Sequence, residues 1–557
     1  MGAGPEWDAV VVGAGLGGLS TAAFLATNGQ RVLVLEHNQV VGGCSQVFRR
    51  RGRYEFDVGV HYIGECEPGG KVQTLLGALG LAGRVEFERL DPEGFSTITV
   101  HEAAEQPDEP MRVSMRVPRG WAAYAGRLAA TFPDEEDQLR RCVDVLHKVA
   151  HGNPVAMARW GLRPLDRLFD SCRLSQPART VIAGESGDYS CPPSRTPVAM
   201  HAGFLDHYLK SGAYYPRGGG QVIAAWLTQT IQAHGGTVRT KAGVRRILIE
   251  DGRAVGVELA DGEQVRASVV VSNADLRRTY LELVGPEHLP ARLRRRVERM
   301  RMALPLFTVY LAVDFDVRER FTNSTQWIYP NPDIEQMYAD AYAGRIGGPV
   351  PVFMTSGTLK DPTGTHTAPA GQSTLELVTI APAQHSSWYV GAGPVAGEHY
   401  SQYDGYQRVK ERLTESVLDT ASLVIEDLRE HIVFCEASTP ITQERFTWST
   451  AGAVYGLEMT ANQIGPFRPD VRSPIPGLYL AGAGTRYMHG IVSTINGGAG
   501  TAGAILGRNL IAEMKAGEVY GDPSLIPPDG EDWDPLAVSK PSSPLRKASV
   551  RPSEVTR

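Results

Sequence analysis

The first 36 residues constrain the fold more strongly than any other stretch of the chain. An apolar run typical of a buried parallel strand leads into glycines with G-x-G-x-x-G spacing, namely Ala9 to Val12 and then Gly13, Gly15 and Gly18. The first glycine allows a tight turn, the second lets a pyrophosphate approach the backbone, and the third lets the next helix pack close to the strand. This pattern predicts a dinucleotide-binding βαβ unit.

The segments that follow complete this unit. A helix is predicted from Leu16 and Gly17 to about Asn28, with its free N–H groups and positive dipole end directed at the phosphates. A second strand, Val32 to Leu35, ends at Glu36, whose carboxylate is placed to accept hydrogen bonds from a ribose diol. We therefore expect a bound dinucleotide rather than a plain strand, turn and helix.

A double glycine identifies the class of dinucleotide. Gly42 and Gly43 lie just past the second strand, with Cys44 next to them. This arrangement resembles flavoprotein oxidoreductases, in which the chain passes the FAD pyrophosphate at this point, whereas simple NAD dehydrogenases do not need it. Cys44 is expected to be a small residue near the pyrophosphate rather than a redox thiol.

A second FAD fingerprint follows more than 400 residues later. The sequence PGLYLAGAG predicts a turn, a short strand and a glycine-rich stop that includes Gly482. The apolar segment after it predicts a helix that begins at Gly490, Ile491 and Val492 and faces the flavin. A helix N-terminus at this place stabilises negative charge on a reduced flavin. Together, the two fingerprints predict FAD as the cofactor.

A third segment makes the FAD domain discontinuous. It contains YYPRGGGQ, a predicted helix from Gln221 to His234, and strands around two hairpin turns. In FAD enzymes of this type, the residue at the position of Val244 lies beside the adenine through its backbone. We assign residues 1–75, 215–290 and 465–520 to the FAD domain, and residues 76–214 and 291–464 to a substrate domain. Residues 521–557 are rich in proline, serine and charge and lack apolar periodicity, which predicts a disordered tail.

The composition is that of an ordinary soluble protein. The 557 residues are 42% hydrophobic and 21% charged, with a formal net charge of −6, which gives no reason to expect a nucleic-acid partner. No long apolar run predicts a membrane-spanning helix, and MGAGPEWD lacks the features of a signal peptide. The six cysteines have no C-x-x-C spacing, so no metal site is predicted and a cytoplasmic location is expected.

The segment GGCSQVFRRRGRYEFDVGVHYIGE resembles the retinol saturase branch of the phytoene desaturase-like flavoproteins. The segments STPITQERFTWSTAGAVYGLEM and RPDVRSPIPGLYLAGAG are similar to the same family, and the resemblance covers most of residues 7–515. The chain differs from the pattern of this family at two places, and both differences bear on the identity of the substrate rather than on the cofactor. Most carotene desaturases have arginine where this chain has Cys44, and the string Arg486 to Gly490 matches no subfamily.

The resemblance implies an α/β fold. A glutathione-reductase-type, Rossmann-like FAD domain would lie beside an α+β substrate domain that contains a mixed sheet. It also implies hydride transfer between flavin N5 and a long apolar polyene or isoprenoid lipid, held against the flavin in an apolar tunnel. Candidate proton donors are His61 and Tyr62 in the family string and His489 at the flavin-facing helix.

Several functions remain open at this stage. The first is saturation or desaturation of a lipid polyene, which also needs an electron donor or acceptor that the sequence does not identify. The second is a carotenoid cis–trans isomerase that uses reduced FAD without net redox change. An amine oxidase-like enzyme and a non-enzymatic FAD-binding scaffold are the others. The His-Tyr-Ile-Gly string argues against an amine oxidase.

A basic segment bears on how a water-insoluble substrate arrives. Residues Ala291 to Phe307 interleave six arginines with apolar residues, which suits peripheral contact with an anionic membrane. The alternative is a solvated helix whose apolar side packs on its own domain, and the sequence favours this alternative.

Overall fold

Two seven-stranded sheets organise this computed structural model, which describes residues 6–101, 112–364, 366–530 and 532–541. The strands in chain order are β1 Trp7–Val12, β2 Val32–Leu35, β3 Val47–Arg50, β4 Tyr54–Asp57, β5 Phe87–Arg89, β6 Ser96–His101, β7 Arg112–Val117, β8 Tyr214–Pro216, β9 Thr237–Arg239, β10 Val244–Glu250, β11 Arg253–Leu259, β12 Gln264–Ser272, β13 Leu306–Val313, β14 Thr325–Tyr329, β15 Val352–Thr355, β16 Ser373–Ile380, β17 Ile432–Ser438 and β18 Leu478–Leu480.

The helices connect and cover these sheets. In chain order they are α1 Leu16–Ala26, α2 Lys71–Ala78, α3 Trp121–Thr131, α4 Glu136–Ala150, α5 Pro154–Trp160, α6 Leu165–Cys172, α7 Gln176–Ala183, α8 Val198–Ser211, α9 Gln221–Ala233, α10 Leu276–Arg278, α11 Ala291–Glu298, α12 Ile334–Tyr342, α13 Gly357–Lys360, α14 Asp404–Ser422, α15 Pro440–Thr447, α16 Ile491–Leu506, α17 Leu510–Lys515 and α18 Pro535–Val538. Among the described residues, none of these helices is long and apolar enough to cross a membrane.

The first sheet draws its strands from three distant parts of the chain. Its parallel strands lie in the order β9, β2, β1, β12 and β18, and the antiparallel strands β10 and β11 extend it from the start of β12. Strand β1 is apolar at successive positions because parallel strands are covered on both faces. Helices α1 and α16 pack against each other, and Ser20 Oγ donates to the carbonyl oxygen of Ile495 at 2.8 Å.

The second sheet is mixed, as the sequence resemblance implied. Its order is β17, β13, β16, β15, β14, β6 and β7, and only the pair β14–β6 is parallel. Helices α3, α4, α5, α6 and α8 pack on one another beside it, and α7 packs against β6. The fold is therefore the predicted α/β class, with a Rossmann-like sheet beside a mixed sheet and a helical layer.

The tail differs from the sequence prediction of disorder. Residues 521–530 and 532–541 pack on the first sheet's helices, where the rings of Trp533 and Trp226 stack with centroids 4.8 Å apart. The backbone N–H of Val41 donates to the Ser539 carbonyl oxygen at 3.0 Å, and Gln221 Nε2 donates to Ser539 Oγ at 2.8 Å. A few anchoring residues hold residues 521–530 and 532–541 in place, so for this part of the tail the expectation of disorder from average composition was wrong. Residues 542–557 lie outside the described residues.

Candidate active site

A cavity of about 510 Å³ opens at the carboxyl ends of β1 and β2, the position where such sheets bind dinucleotides. We call it the cofactor cavity. Most of the predicted cofactor residues line it, namely Gly13, Gly15, Leu16, Gly17, Glu36, Gly43, Cys44, Val244, Gly482, Gly490 and Ile491. The structure thus brings together residues from both fingerprints and from the third segment.

Close backbone contacts explain the glycines of this cavity. A Cβ atom on Gly17 would lie 2.7 Å from Gly482 Cα, so the two fingerprints touch through backbone atoms. A Cβ atom on Gly18 would lie 2.2 Å from the Gly13 carbonyl oxygen. Gly18 therefore packs the helix against the turn and does not line the cavity. Val492, the second residue of α16, does not line the cavity either, because its side chain is buried in the apolar core.

Two helix N-termini face the cofactor cavity. Helix α1 begins after Gly15 and α16 begins after Gly490; neither N-cap residue offers a side-chain hydrogen bond, and neither first turn contains an acid. Their first N–H groups therefore remain available to an anionic ligand, and both dipoles present their positive ends. A flavin dinucleotide supplies negative charge at its pyrophosphate and, when reduced, at the flavin ring.

Backbone contacts hold Glu36 at the place where a ribose acceptor is expected. It is 6% exposed, and its two carboxylate oxygens accept hydrogen bonds from the backbone N–H groups of Ala14 and Asn38, each at 2.8 Å. These contacts fix the carboxylate at the end of β2, where it lines the cavity. The glycine cradle, the two uncapped helix ends and this acid fit FAD.

Cys44 shows no sign of thiolate chemistry. Burial raises the pKa of its thiol, and Sγ accepts a hydrogen bond from Gln443 Nε2 at 3.2 Å. A protonated thiol of this kind is a poor nucleophile. The environment agrees with the expectation of a small lining residue.

A second, smaller space adjoins the cofactor cavity, and we call it the aromatic chamber. It has a volume of about 40 Å³, and its walls include His61, Asp188, Trp327, Tyr329, Met337, Tyr338, Phe353, Ile380 and Tyr455. Cross-strand pairing puts Trp327 opposite Phe353 and Phe353 opposite Val378, so these residues share one face of the second sheet. Tyr455 lines both spaces, so its side chain lies between the chamber and the cofactor cavity.

The three predicted proton donors occupy different places. His489 lines the cofactor cavity, with its ring centroid 4.7 Å from that of Tyr455, whereas His61 lines the aromatic chamber. Tyr62 lines neither space, and its hydroxyl donates to Asp188 Oδ2. Lys360 Nζ donates to the His61 carbonyl oxygen at 2.9 Å and so fixes the string that carries His61 and Tyr62.

Burial keeps both histidines neutral. It lowers the pKa of His489 to about 3, with the positive charge of Arg468 acting in the same direction. It lowers the pKa of His61 well below the ordinary value, again with a positive neighbour, Lys360. The pKa of Tyr62 is raised well above its usual value by burial and by nearby Asp188. None of these three side chains therefore holds an easily released proton near pH 7.

Sequence reasoning missed a pair of acids beside these groups. Burial raises the pKa of Asp188 to about 7, while burial and the charge of Asp188 raise that of Glu185 to about 8. Their signal in the sequence is weak, because it consists of two carboxylates three residues apart between apolar segments. Only the fold shows that Tyr62, more than 100 residues earlier, contacts one of them.

Two positioning residues were also missed. Asn273 follows β12 directly, and its Nδ2 would lie 2.9 Å from a Cβ atom on Gly15, so it closes the floor of the cavity. Arg468 is 3% exposed and donates to the carbonyl oxygens of Thr485 and Ala483 at 2.9 and 2.6 Å. It thereby holds the glycine-rich stop of the second fingerprint. A polar residue at the end of a parallel strand was the available signal for Asn273.

Comparison with known proteins agrees with this geometry. Residues 16–506 match the family described as flavin containing amine oxidoreductase. The chain belongs to this family. It is an FAD-dependent oxidoreductase, as the two fingerprints predicted.

Individual relatives also confirm the resemblance to the retinol saturase and carotenoid desaturase–isomerase group. The chain is 28% identical over 549 residues to human all-trans-retinol 13,14-reductase, covering 91% of this chain and 87% of that protein. It is 26% identical to the chloroplastic prolycopene isomerase of Daucus carota, covering 86% and 77% of the two chains. Putrescine oxidase bound to putrescine has the same fold, with a TM-score of 0.63, 16% identity, and coverage of 90% of this chain and 99% of that one.

Proposed function

We propose that this chain is a saturase that reduces a C=C bond of a long apolar polyene, such as a retinoid. The observation that carries the proposal is the aromatic chamber, which lies beside the cofactor cavity with Tyr455 between them. Its walls are largely aromatic and aliphatic, so they favour part of a flat conjugated chain over a polar group. Because its volume is only about 40 Å³, side chains of these walls must move when a polyene enters. The relatives named as retinol reductases support this substrate class.

Each part of the site has a role in this function. The two glycine cradles and Glu36 hold FAD, and the N-terminus of α16 stabilises negative charge on it. Bound FAD supplies or accepts a hydride at N5. Trp327 and Phe353 hold the polyene and keep water out, and His489 and His61 border the reacting region as neutral hydrogen-bonding groups.

The test is an anaerobic single-turnover reaction. Purified protein with FAD, reduced by dithionite, should convert all-trans-retinol or a carotenoid to a product heavier by two hydrogens, with reoxidation of the flavin absorbance. A product of unchanged mass and altered retention would indicate the isomerase that the Daucus carota relative suggests. Oxidised protein that turns over putrescine but no polyene would contradict the proposal in favour of an amine oxidase.

We also propose that the substrate arrives from an anionic membrane, with contact at α5. Three apolar side chains are exposed on α5 and in the turn that follows it, with exposed fractions of 77% for Val155, 40% for Met157 and 55% for Leu162. Arg159 and Arg163 lie over the ring of Trp160, each guanidinium carbon 5.5 Å from its centroid. Exposed apolar side chains among basic groups suit the surface of an anionic bilayer.

The arginine-rich segment at α11 supports this role less well than its sequence suggested. Its apolar residues Val297, Met300 and Leu304 are buried, so the helix presents arginines without an exposed apolar stripe. Co-sedimentation with anionic and neutral liposomes compares the two surfaces. We expect Val155→Ser combined with Leu162→Ser to abolish pelleting, and Arg294→Gln, Arg295→Gln and Arg296→Gln together to leave most of it. Wild-type protein that stays in the supernatant with anionic vesicles would refute membrane contact at either surface.

A further inference from the structure

The aromatic chamber contains one acid that the proposed function has not used. Asp188 lies in the short helical turn Ser186–Asp188 and is the carboxylate among the described residues that line the chamber. It is only partly buried, since it borders this space, whereas Glu185 behind it is 3% exposed. A carboxyl group in an apolar chamber needs a specific reason to be there, because burying it costs free energy.

Contacts hold Asp188 between the two reacting spaces. Tyr62 donates its hydroxyl to Asp188 Oδ2, and the Asp188 backbone lies beside the ring of His489. His489 in turn contacts Tyr455, which lines both spaces. The carboxyl group therefore lies where a chain reaching from the chamber to the cofactor cavity would pass.

We propose that Asp188 is the catalytic acid of this site, which donates its proton to the carbon next to the one that receives the hydride, while Tyr62 orients its carboxyl group. This inference rests on the proposed saturase function. The proton and a hydride from reduced FAD add to adjacent carbons, so the C=C π bond breaks, two C–H bonds form, and Asp188 is left as a carboxylate. A proton from solvent restores the acid, and an external two-electron donor restores reduced FAD.

The surroundings of Asp188 fit an acid that is protonated near neutral pH. The titratable groups around it are an acid, two histidines and five tyrosines, namely Glu185, His61, His489, Tyr62, Tyr208, Tyr329, Tyr338 and Tyr455. The pKa of Asp188 is raised to about 7, mainly by burial. The hydrogen bond from the Tyr62 hydroxyl lowers this pKa and so offsets part of the effect of burial. The two neighbouring histidines are neutral and the tyrosines hold their protons firmly. Among these groups Asp188 therefore has the pKa that suits a proton donor near pH 7 best.

Turnover of the reduced protein tests the donor. Because the donor must be protonated, kcat should fall as the pH rises above about 7. Asp188→Asn should lower kcat by about 10²-fold or more and abolish this fall, with FAD content unchanged. Asp188→Glu should restore part of the rate. The matched control is Glu458→Gln, since Glu458 also accepts a tyrosine hydroxyl, that of Tyr342, but lies outside the chamber.

Tyr62→Phe gives a result that a merely structural role would not produce. Loss of this hydrogen bond should raise the pKa of Asp188, so the fall in kcat should move to higher pH. Tyr342→Phe, the matched control, should not move it. An unshifted profile in Tyr62→Phe, or an unchanged rate and profile in Asp188→Asn, would overturn the proposal.

A measurement without turnover separates this inference from the proposed function. Infrared difference spectra of cofactor-free protein containing ¹³C-labelled aspartate should show a protonated aspartic acid that ionises near pH 7 in wild type and is missing in Asp188→Asn. Wild-type protein that shows this ionisation but converts no polyene would contradict the saturase function alone. Wild-type protein that converts polyene without this ionisation would overturn the role of Asp188 alone.

Discussion

At the scale of single residues, burial decides which groups hold a proton in this site. The same desolvation that raises the pKa of Glu185 to about 8 lowers that of His489 to about 3, because it disfavours the charged form of each. Buried acids that keep a proton near neutral pH therefore lie beside neutral histidines in this site. The sequence named the histidines as candidates. It could not show that burial keeps the acids protonated and the histidines neutral, since burial depends on distant segments.

The raised pKa of Glu185 predicts that the free energy of unfolding depends on pH. The pKa of Glu185 is about 8 in the fold and near 4.5 when unfolded, so its contribution to the free energy of unfolding is full below pH 4.5 and is lost as the pH rises to 8. Between pH 6.5 and 8 the loss is at most about 1.4 kcal/mol per pH unit. Urea unfolding of wild type and Glu185→Gln should show the difference, with the variant gaining relative stability as pH rises. A constant difference across this range would contradict the raised pKa.

Glu36 provides a test of the cofactor cavity. Glu36→Ala removes the expected ribose acceptor and leaves the Ala14 N–H without its partner. We expect FAD affinity to fall by about 1–3 kcal/mol, as for other hydrogen bonds to charged groups. Titration of the apoprotein with FAD measures this. Glu258→Ala is the control, because Glu258 lies on the same sheet and pairs with Arg246 away from the cavity. Equal affinities of the two variants would remove Glu36 from the site.

At the scale of elements, local patterns were predictable and long-range packing was not. Strand β2 has the predicted bounds, and β1 and α1 lie within two residues of prediction at each end, because their signals come from adjacent residues. The aromatic chamber has no local signal, since its walls come from β14, β15 and β16, and Asp188 comes from a turn far earlier in the chain. The packed tail was missed for the same reason.

The tail offers a prediction at this scale. Ser539 accepts the Val41 N–H, next to the double glycine of the cofactor cavity, and α18 packs on α9. Deletion of residues 529–557 should therefore weaken FAD binding although it removes no lining residue. Deletion of residues 542–557 alone is the control and should leave binding unchanged. Fluorescence titration with FAD measures the affinity of both deletion variants. Full affinity in the variant without residues 529–557 would show that the tail does not support the double-glycine turn.

At the scale of the whole molecule, the cofactor cavity is lined by residues from the first fingerprint, the third segment and the second fingerprint, so bound FAD would contact all three. A ligand that binds only the folded state stabilises it, by about 2.7 kcal/mol at a free concentration 100 times its Kd. Because the cofactor cavity spans these segments, we expect FAD to raise the Tm of the whole chain in a single transition. Calorimetry measures this. Two transitions, of which FAD shifts only one, would show that the two sheets unfold independently.

The packing of α1 against α16 has a consequence for synthesis of the protein. Ser20 meets Ile495 across 475 positions of sequence, and Gly17 meets Gly482 through their backbones. Until the ribosome has translated β18 and α16 near the end of the chain, the first sheet lacks these neighbours and exposes apolar surface. The complete cofactor cavity therefore forms only after residues near 490 have been translated.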